Sequence, residues 1–172
     1  KSKFVQEMCD VTANMYRQGW DERNGGNVSY LLTEKEVRQY FKKDNFIRDI
    51  DLGFVAPEGV RGKYFLVTGT GKYFKNVKND PETNLGLVKI SESGKKAHLL
   101  WGFKDGGRFT SEFPAHLMSH AARLKVNPKN RIIMHTHPTY TMCMGACVKV
   151  DEKENILITS ILLKELIPLK KK

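Results

Sequence analysis

Two apolar runs, Leu85 to Ile90 and Ala97 to Trp101, stand close together in the chain and are joined around Ser93-Gly94, a turn-forming pair. Strands linked this way pair antiparallel, because a parallel pair needs a crossover of about a dozen residues or more. The hairpin commits the chain to an antiparallel sheet, and neighbouring segments extend it. Tyr64-Phe65-Leu66-Val67 is a compact apolar run cut off by Thr68-Gly69-Thr70-Gly71-Lys72, a strand that runs into a tight glycine turn. Val28 to Leu32 reads as another strand. Residues 42–62 are mixed and charged, a long connection expected to carry a short strand near Phe54-Val55.

Helical patterns flank these strands. Phe4, Val5, Met8, Val11, Met15 and Tyr16 fall at helical spacing, with Gly19 where a helix would end. Thr33 followed by Glu36 has the form of a capping box, so Glu34 to about Phe41 is expected to be a short helix. Thr110-Ser111-Glu112 starts a helix that carries Phe113, Leu117, Ala121 and Leu124 on one face and stops at Asn127-Pro128. Strands bunched between helices give an α/β class, an α/β/α layered fold around a largely antiparallel central sheet. At 172 residues and 40% hydrophobic content the chain can bury one ordinary core, so a second full domain is not expected.

Lys and Arg number 29 against 19 Asp and Glu, a formal charge of +10 that suits an anionic partner. The lysines are scattered, and Lys170-Lys171-Lys172 is the dense run. Aromatics interleave with basic residues only around Lys72-Tyr73-Phe74-Lys75, too little for a nucleic-acid surface. Cys9, Cys143 and Cys147 are an odd set without disulfide spacing, which points to a reducing compartment. With no apolar run of membrane-spanning length and no secretion-type start, a cytoplasmic protein without a membrane partner is expected. Since the first residue is Lys1, residues are expected to precede it.

The chemistry centres on Arg131-Ile132-Ile133-Met134-His135-Thr136-His137-Pro138. Three apolar residues leading into the histidines read as the end of a buried strand, on which residues two apart share a face. His135 and His137 would then grip one divalent ion, and Pro138 ends the ladder. The alternative is one buried and one exposed histidine without a metal. Three turns are candidate anion sites. Asn24-Gly25-Gly26-Asn27 offers backbone amides and side-chain donors, Thr68 to Lys72 a hydroxyl and a cation, and Thr110-Ser111 hydroxyls at a helix start. Glu112 is a dipole-complementing residue by default, and a candidate general base if the turn lies near a metal. His116 and His120, four apart on the same helix, are better explained by a surface or packing role than as a metal pair.

The segments Gly19 to Asn27, Val67 to Lys72, Asp80-Pro81 with Asn84-Leu85-Gly86, Leu100-Trp101-Gly102, Thr110 to His116 and His135-Thr136-His137 occur in the order seen in the class II aldolase/adducin family. The resemblance runs from about residue 4 to about residue 142. It is closest to the branch that acts on L-rhamnulose 1-phosphate, chiefly through the match from Trp20 to Asn27. It implies a zinc-dependent, reversible retro-aldol cleavage of that sugar phosphate into dihydroxyacetone phosphate and L-lactaldehyde in rhamnose catabolism. The resemblance assigns zinc to His135 and His137, one ion per chain, and proton transfer to Glu112. The phosphate goes to Asn24, Gly26, Asn27, Thr70, Gly71, Thr110 and Ser111, and the assembly is a homotetramer.

The pattern departs at the C-terminal end. The family supplies a third zinc histidine and a further acid/base group beyond the paired histidines, and no histidine follows His137 here. Residues 145–172 have no assignment, and the chain is expected to stop short of a complete member or to complete the metal through Cys143, Cys147, Glu152 or water. The alternative functions are an inactive or adducin-like member of the same fold, separable by its zinc content, and another sugar-phosphate aldolase of the family.

Overall fold

In the computed structural model, which describes residues 2–140, six strands form one sheet in the order β2-β5-β4-β3-β1-β6, with every neighbouring pair antiparallel. The strands are β1 (Asn27–Leu32), β2 (Arg48–Asp51), β3 (Tyr64–Thr68), β4 (Leu85–Ile90), β5 (Lys96–Gly102) and β6 (Ile132–His135). The helices are α1 (Lys3–Arg17), α2 (Glu34–Arg38), α3 (Phe74–Val77), α4 (Pro81–Asn84) and α5 (Phe113–Val126).

Alternation along β3 explains the layering. Tyr64 and Leu66 point to one face and Phe65 and Val67 to the other, and all four are buried. On the first face lie Phe4, Val5, Met8 and Met15 of α1 with Phe74 and Val77 of α3. On the second lie Phe113, Leu117 and Ala121 of α5, with Phe103 and Phe109 from the preceding loop. Phe65 stands edge-on to Phe113 with ring centroids 5.8 Å apart, and burial of each such side chain contributes roughly 1.5–3 kcal/mol. The α/β/α layering follows from these two cores.

The predicted hairpin is present, with β4 and β5 in register from Ile90–Ala97 to Val88–Leu99 and a bulge at Leu87/Val88. The Thr33–Glu36 capping box forms on both sides, Glu36 N–H donating to Thr33 Oγ1 and Thr33 N–H donating to Glu36 at 2.7 Å. It caps a helix that ends at Arg38 rather than near Phe41. Glu36 also accepts from Arg131 Nη1 at 2.6 Å, tying the entry of β6 to α2. Burial opposes the charged carboxyl of Glu36, but the hydrogen bonds from Arg131 and Thr33 outweigh it and hold the pKa down to about 2.

Two expectations are corrected. The strand in the long connection is Arg48–Asp51, not Phe54-Val55, where Val55 is exposed in an irregular segment. The strand of the histidines is an outer strand among the described residues, with Ile132 and Met134 about half exposed, and it ends at His135. His137 therefore lies beyond the strand rather than on it.

Candidate active site

Antiparallel pairing brings distant residues together at one end of the sheet. Asn27 at the start of β1 sits opposite His135 at the end of β6, and β3 ends alongside, its Thr68 Oγ1 accepting from the Val28 N–H at 3.1 Å. The segment before α5 is stitched to the end of β3 by an isolated bridge between Gly69 and Phe109. Thr70 N–H donates to Arg108 O, and Thr110 N–H to Thr68 O, each at 2.9 Å. The three turns marked as anion sites thus converge beside His135.

Glu112 is the N-cap residue of α5, yet its side chain caps nothing. Its Oε2 meets His135 Nδ1 and accepts from Asn27 Nδ2 at 3.3 Å. A carboxylate only accepts, so this contact puts a ring proton of His135 on Nδ1.

His137 reaches His135 from outside the strand. Its backbone N–H donates to Trp20 O at 2.7 Å, and the two rings lie with centroids 4.8 Å apart. Burial and the neighbouring His135 push its pKa down, favouring the neutral ring a metal requires.

The glycine turn has a role the sequence did not reveal. A Cβ on Gly25 would lie 2.6 Å from His137 Nδ1, and one on Gly26, where φ is +86°, would lie 3.0 Å from His135 O. These glycines let the turn lie directly against both histidines.

The donor types suit a divalent cation: two imidazoles, a neighbouring carboxylate, and a buried His137 Nδ1 without a hydrogen-bond partner among the described residues. Those residues contain no group of three or more His, Cys, Asp or Glu arranged to hold a metal. Cys143, Cys147 and Glu152 lie outside the described residues.

Of the phosphate candidates, Asn24, Thr70, Gly71 and Ser111 are exposed, Gly26 is half-buried and Thr110 is buried. Asn27 is also buried, its amide engaged by Glu112 and by His116 Nε2. Lys72 pairs with Asp105.

His116 and His120 are not surface residues. Both are buried and share one hydroxyl, with Ser29 Oγ 2.7 Å from His116 Nδ1 and 2.8 Å from His120 Nε2. Nothing in the sequence flagged Ser29, a small polar residue in an apolar strand.

A metal-suited histidine pair, a carboxylate and three converging turns at one end of an antiparallel sheet agree with the family the motifs resemble. Residues 6–167 match the family model described as the Class II Aldolase and Adducin N-terminal domain, and the chain belongs to that family. Within it, the chain is a homologue of rhamnulose-1-phosphate aldolases. It is 55% identical over 151 residues to the rhamnulose-1-phosphate aldolase of Listeria monocytogenes serotype 4a (strain HCC23), a match that covers 88% of this chain and 55% of that protein. It is 49% identical over 153 residues to that of Enterococcus faecalis (strain ATCC 700802 / V583), covering 89% and 54%. The chain spans about half the length of these curated relatives. The crystal structure of a sugar-phosphate aldolase from Thermotoga maritima superposes with a TM-score of 0.69 at 30% identity, covering 81% of this chain and 55% of that one. Among the described residues no helix is long and apolar enough to cross a membrane.

Proposed function

We propose that the chain carries the reacting centre of a metal-dependent aldolase that reversibly cleaves L-rhamnulose 1-phosphate into dihydroxyacetone phosphate and L-lactaldehyde. The observation that carries this reading is the Glu112 carboxylate. It is released from capping its own helix and faces the His135–His137 pair, with Asn27 donating to it.

In the cleavage direction the hydroxyl on the fourth carbon gives its proton to a base and becomes the carbonyl of L-lactaldehyde as the bond between the third and fourth carbons breaks, and the electron pair of that bond stays on the third carbon. Glu112, a carboxylate at rest, takes up a proton from solvent and passes it to that carbon, which becomes a hydroxymethyl group of dihydroxyacetone phosphate. Zinc held by His135 and His137 would polarise the substrate carbonyl and so favour the negative charge that develops. Thr70, Gly71, Thr110 and Ser111, with Asn24, Gly26 and Asn27, are the proposed phosphate cradle. Asn27 serves Glu112 as well as the ligand.

The test is Glu112→Gln, assayed for release of dihydroxyacetone phosphate. The substitution nearly preserves shape and removes the proton carrier, so turnover is expected to fall by a factor of ~10² or more while zinc content stays unchanged. Turnover at the parent rate would reduce Glu112 to a helix-start residue. A wild-type chain that binds zinc and turns over no sugar phosphate would favour the non-catalytic alternative.

A further inference from the structure

Beneath Glu112 runs a chain of polar side chains, Asn27, His116, Ser29 and His120, buried in the layer between the sheet and α5. His120 packs against Phe65 with ring centroids 5.1 Å apart, so the chain lies within the apolar core. Apolar side chains of similar size would fill this space without the desolvation cost of four polar groups.

Proton counting fixes the direction of every hydrogen bond. Glu112 as a carboxylate only accepts, so the Asn27 group facing it at 3.3 Å is the NH2 and the amide oxygen faces His116. That oxygen needs a donor, which puts a proton on His116 Nε2. Burial holds His116 neutral, with its pKa lowered to about 3, so Nδ1 is bare and accepts from Ser29 Oγ–H at 2.7 Å. The single Ser29 proton is then used, and His120 Nε2–H must donate to Ser29 Oγ at 2.8 Å. His120 Nδ1 is left as a buried acceptor with no hydrogen-bond partner among the described residues. With the opposite polarity, the Asn27 oxygen would face the Glu112 carboxylate.

We propose that His116, Ser29 and His120 are positioning residues, a buried hydrogen-bond chain of one polarity that holds the Asn27 amide with its NH2 directed at Glu112. His116, Ser29 and His120 are buried and have no part in the proposed substrate contacts. Its effect on catalysis rests on the aldolase reading, because only there is Glu112 the proton carrier; its effect on orientation does not.

Two measurements on the full chain test this. Nitrogen-15 spectra of labelled histidine at pH 7 are expected to show His116 and His120 both neutral with the proton on Nε2. A proton on Nδ1, or an imidazolium, at either ring overturns the proposal whatever the variants do. The second measurement compares His116→Leu with His116→Gln. Leucine removes the donor to Asn27, whereas glutamine keeps an N–H close to the lost Nε2. The leucine variant is expected to lose at least tenfold in kcat, with KM and zinc content within about twofold of the parent, and the glutamine variant to recover most of that loss. Equal kcat in the folded leucine variant and the parent, or no recovery with glutamine, would leave the chain a structural feature and overturn the proposal. A wild-type chain without retro-aldol turnover overturns the aldolase reading instead, and the nitrogen spectra then decide the orientation by themselves.

Discussion

His116 and His120 carry a cost that depends on pH. Burial lowers their pKa values from the usual 6.5 to about 3 and about 4, so the folded protein holds both rings neutral while the unfolded chain protonates them below pH 6.5. The unfolded state therefore binds more protons between about pH 4 and 6.5, and stability falls as pH is lowered through that window, by up to about 1.4 kcal/mol per pH unit for each ring. His137, also lowered, acts in the same direction. The paired carboxylates act lower down. Glu36, and Asp44, which accepts from Arg38 Nη1 at 2.7 Å and Lys89 Nζ at 2.9 Å, are held near 2 and contribute stability above their unfolded values of 4.5 and 3.8 that is lost as pH falls through 2. Urea unfolding at pH 7, 6 and 5 should show a progressive loss, and His120→Phe should flatten the slope. A profile equally steep in that variant would mean that His120 is not the neutral buried ring described here.

At the scale of elements, the glycine turn is where geometry and chemistry meet, and Gly25→Ala tests it. The new methyl would sit 2.6 Å from His137 Nδ1 and 2.8 Å from Glu22 O, so either the ring or the turn must move. Zinc affinity is expected to drop at least tenfold, with a loss of stability of about 1–3 kcal/mol. Unchanged zinc binding by equilibrium dialysis would show that the turn does not hold His137 in place. Thr70→Ala asks a different question of the neighbouring turn. It should weaken dihydroxyacetone phosphate by roughly 1–3 kcal/mol more than unphosphorylated dihydroxyacetone, and equal weakening would make the turn structural.

What the sequence discloses about elements depends on how far each is determined locally. Helix α1, the α2 capping box and the β4–β5 hairpin follow from periodicity and turn chemistry a few residues apart. Strand β2 does not, because Arg48-Asp49-Ile50-Asp51 buries only Ile50 and becomes a strand by pairing with β5. The run Ile132-Ile133-Met134 reads as buried by composition, but its place as an outer strand among the described residues, beside β1, is a property of the sheet order. Glu112, His135 and His137 stand out by residue type. Ser29 and the glycine contacts with the histidines become visible only once β1, α5 and β6 are brought together.

Across the whole molecule, the site joins residues 27, 112, 135 and 137, which belong to parts of the chain that meet only in the folded state. A metal gripping His135 and His137 thus binds the folded form and adds stability by mass action, about 2.7 kcal/mol at a free concentration a hundred times Kd. Among the described residues two imidazoles are the proposed ligands, so the stabilisation is expected to be graded with free zinc rather than saturated at stoichiometry. The gain should also be uneven. Strand β4 is paired on both sides, to β3 and β5, whereas among the described residues β6 pairs only with β1, with Arg131–Glu36 as a further tie. Local opening of β6 is the event a metal on His135 and His137 would most suppress. Hydrogen exchange with and without zinc is expected to slow at the β6 amides by a larger factor than at those of β4, and His137→Ala should erase the difference. Equal protection of both strands, or the same protection in the variant, would place the ion elsewhere and remove the metal from the proposed chemistry.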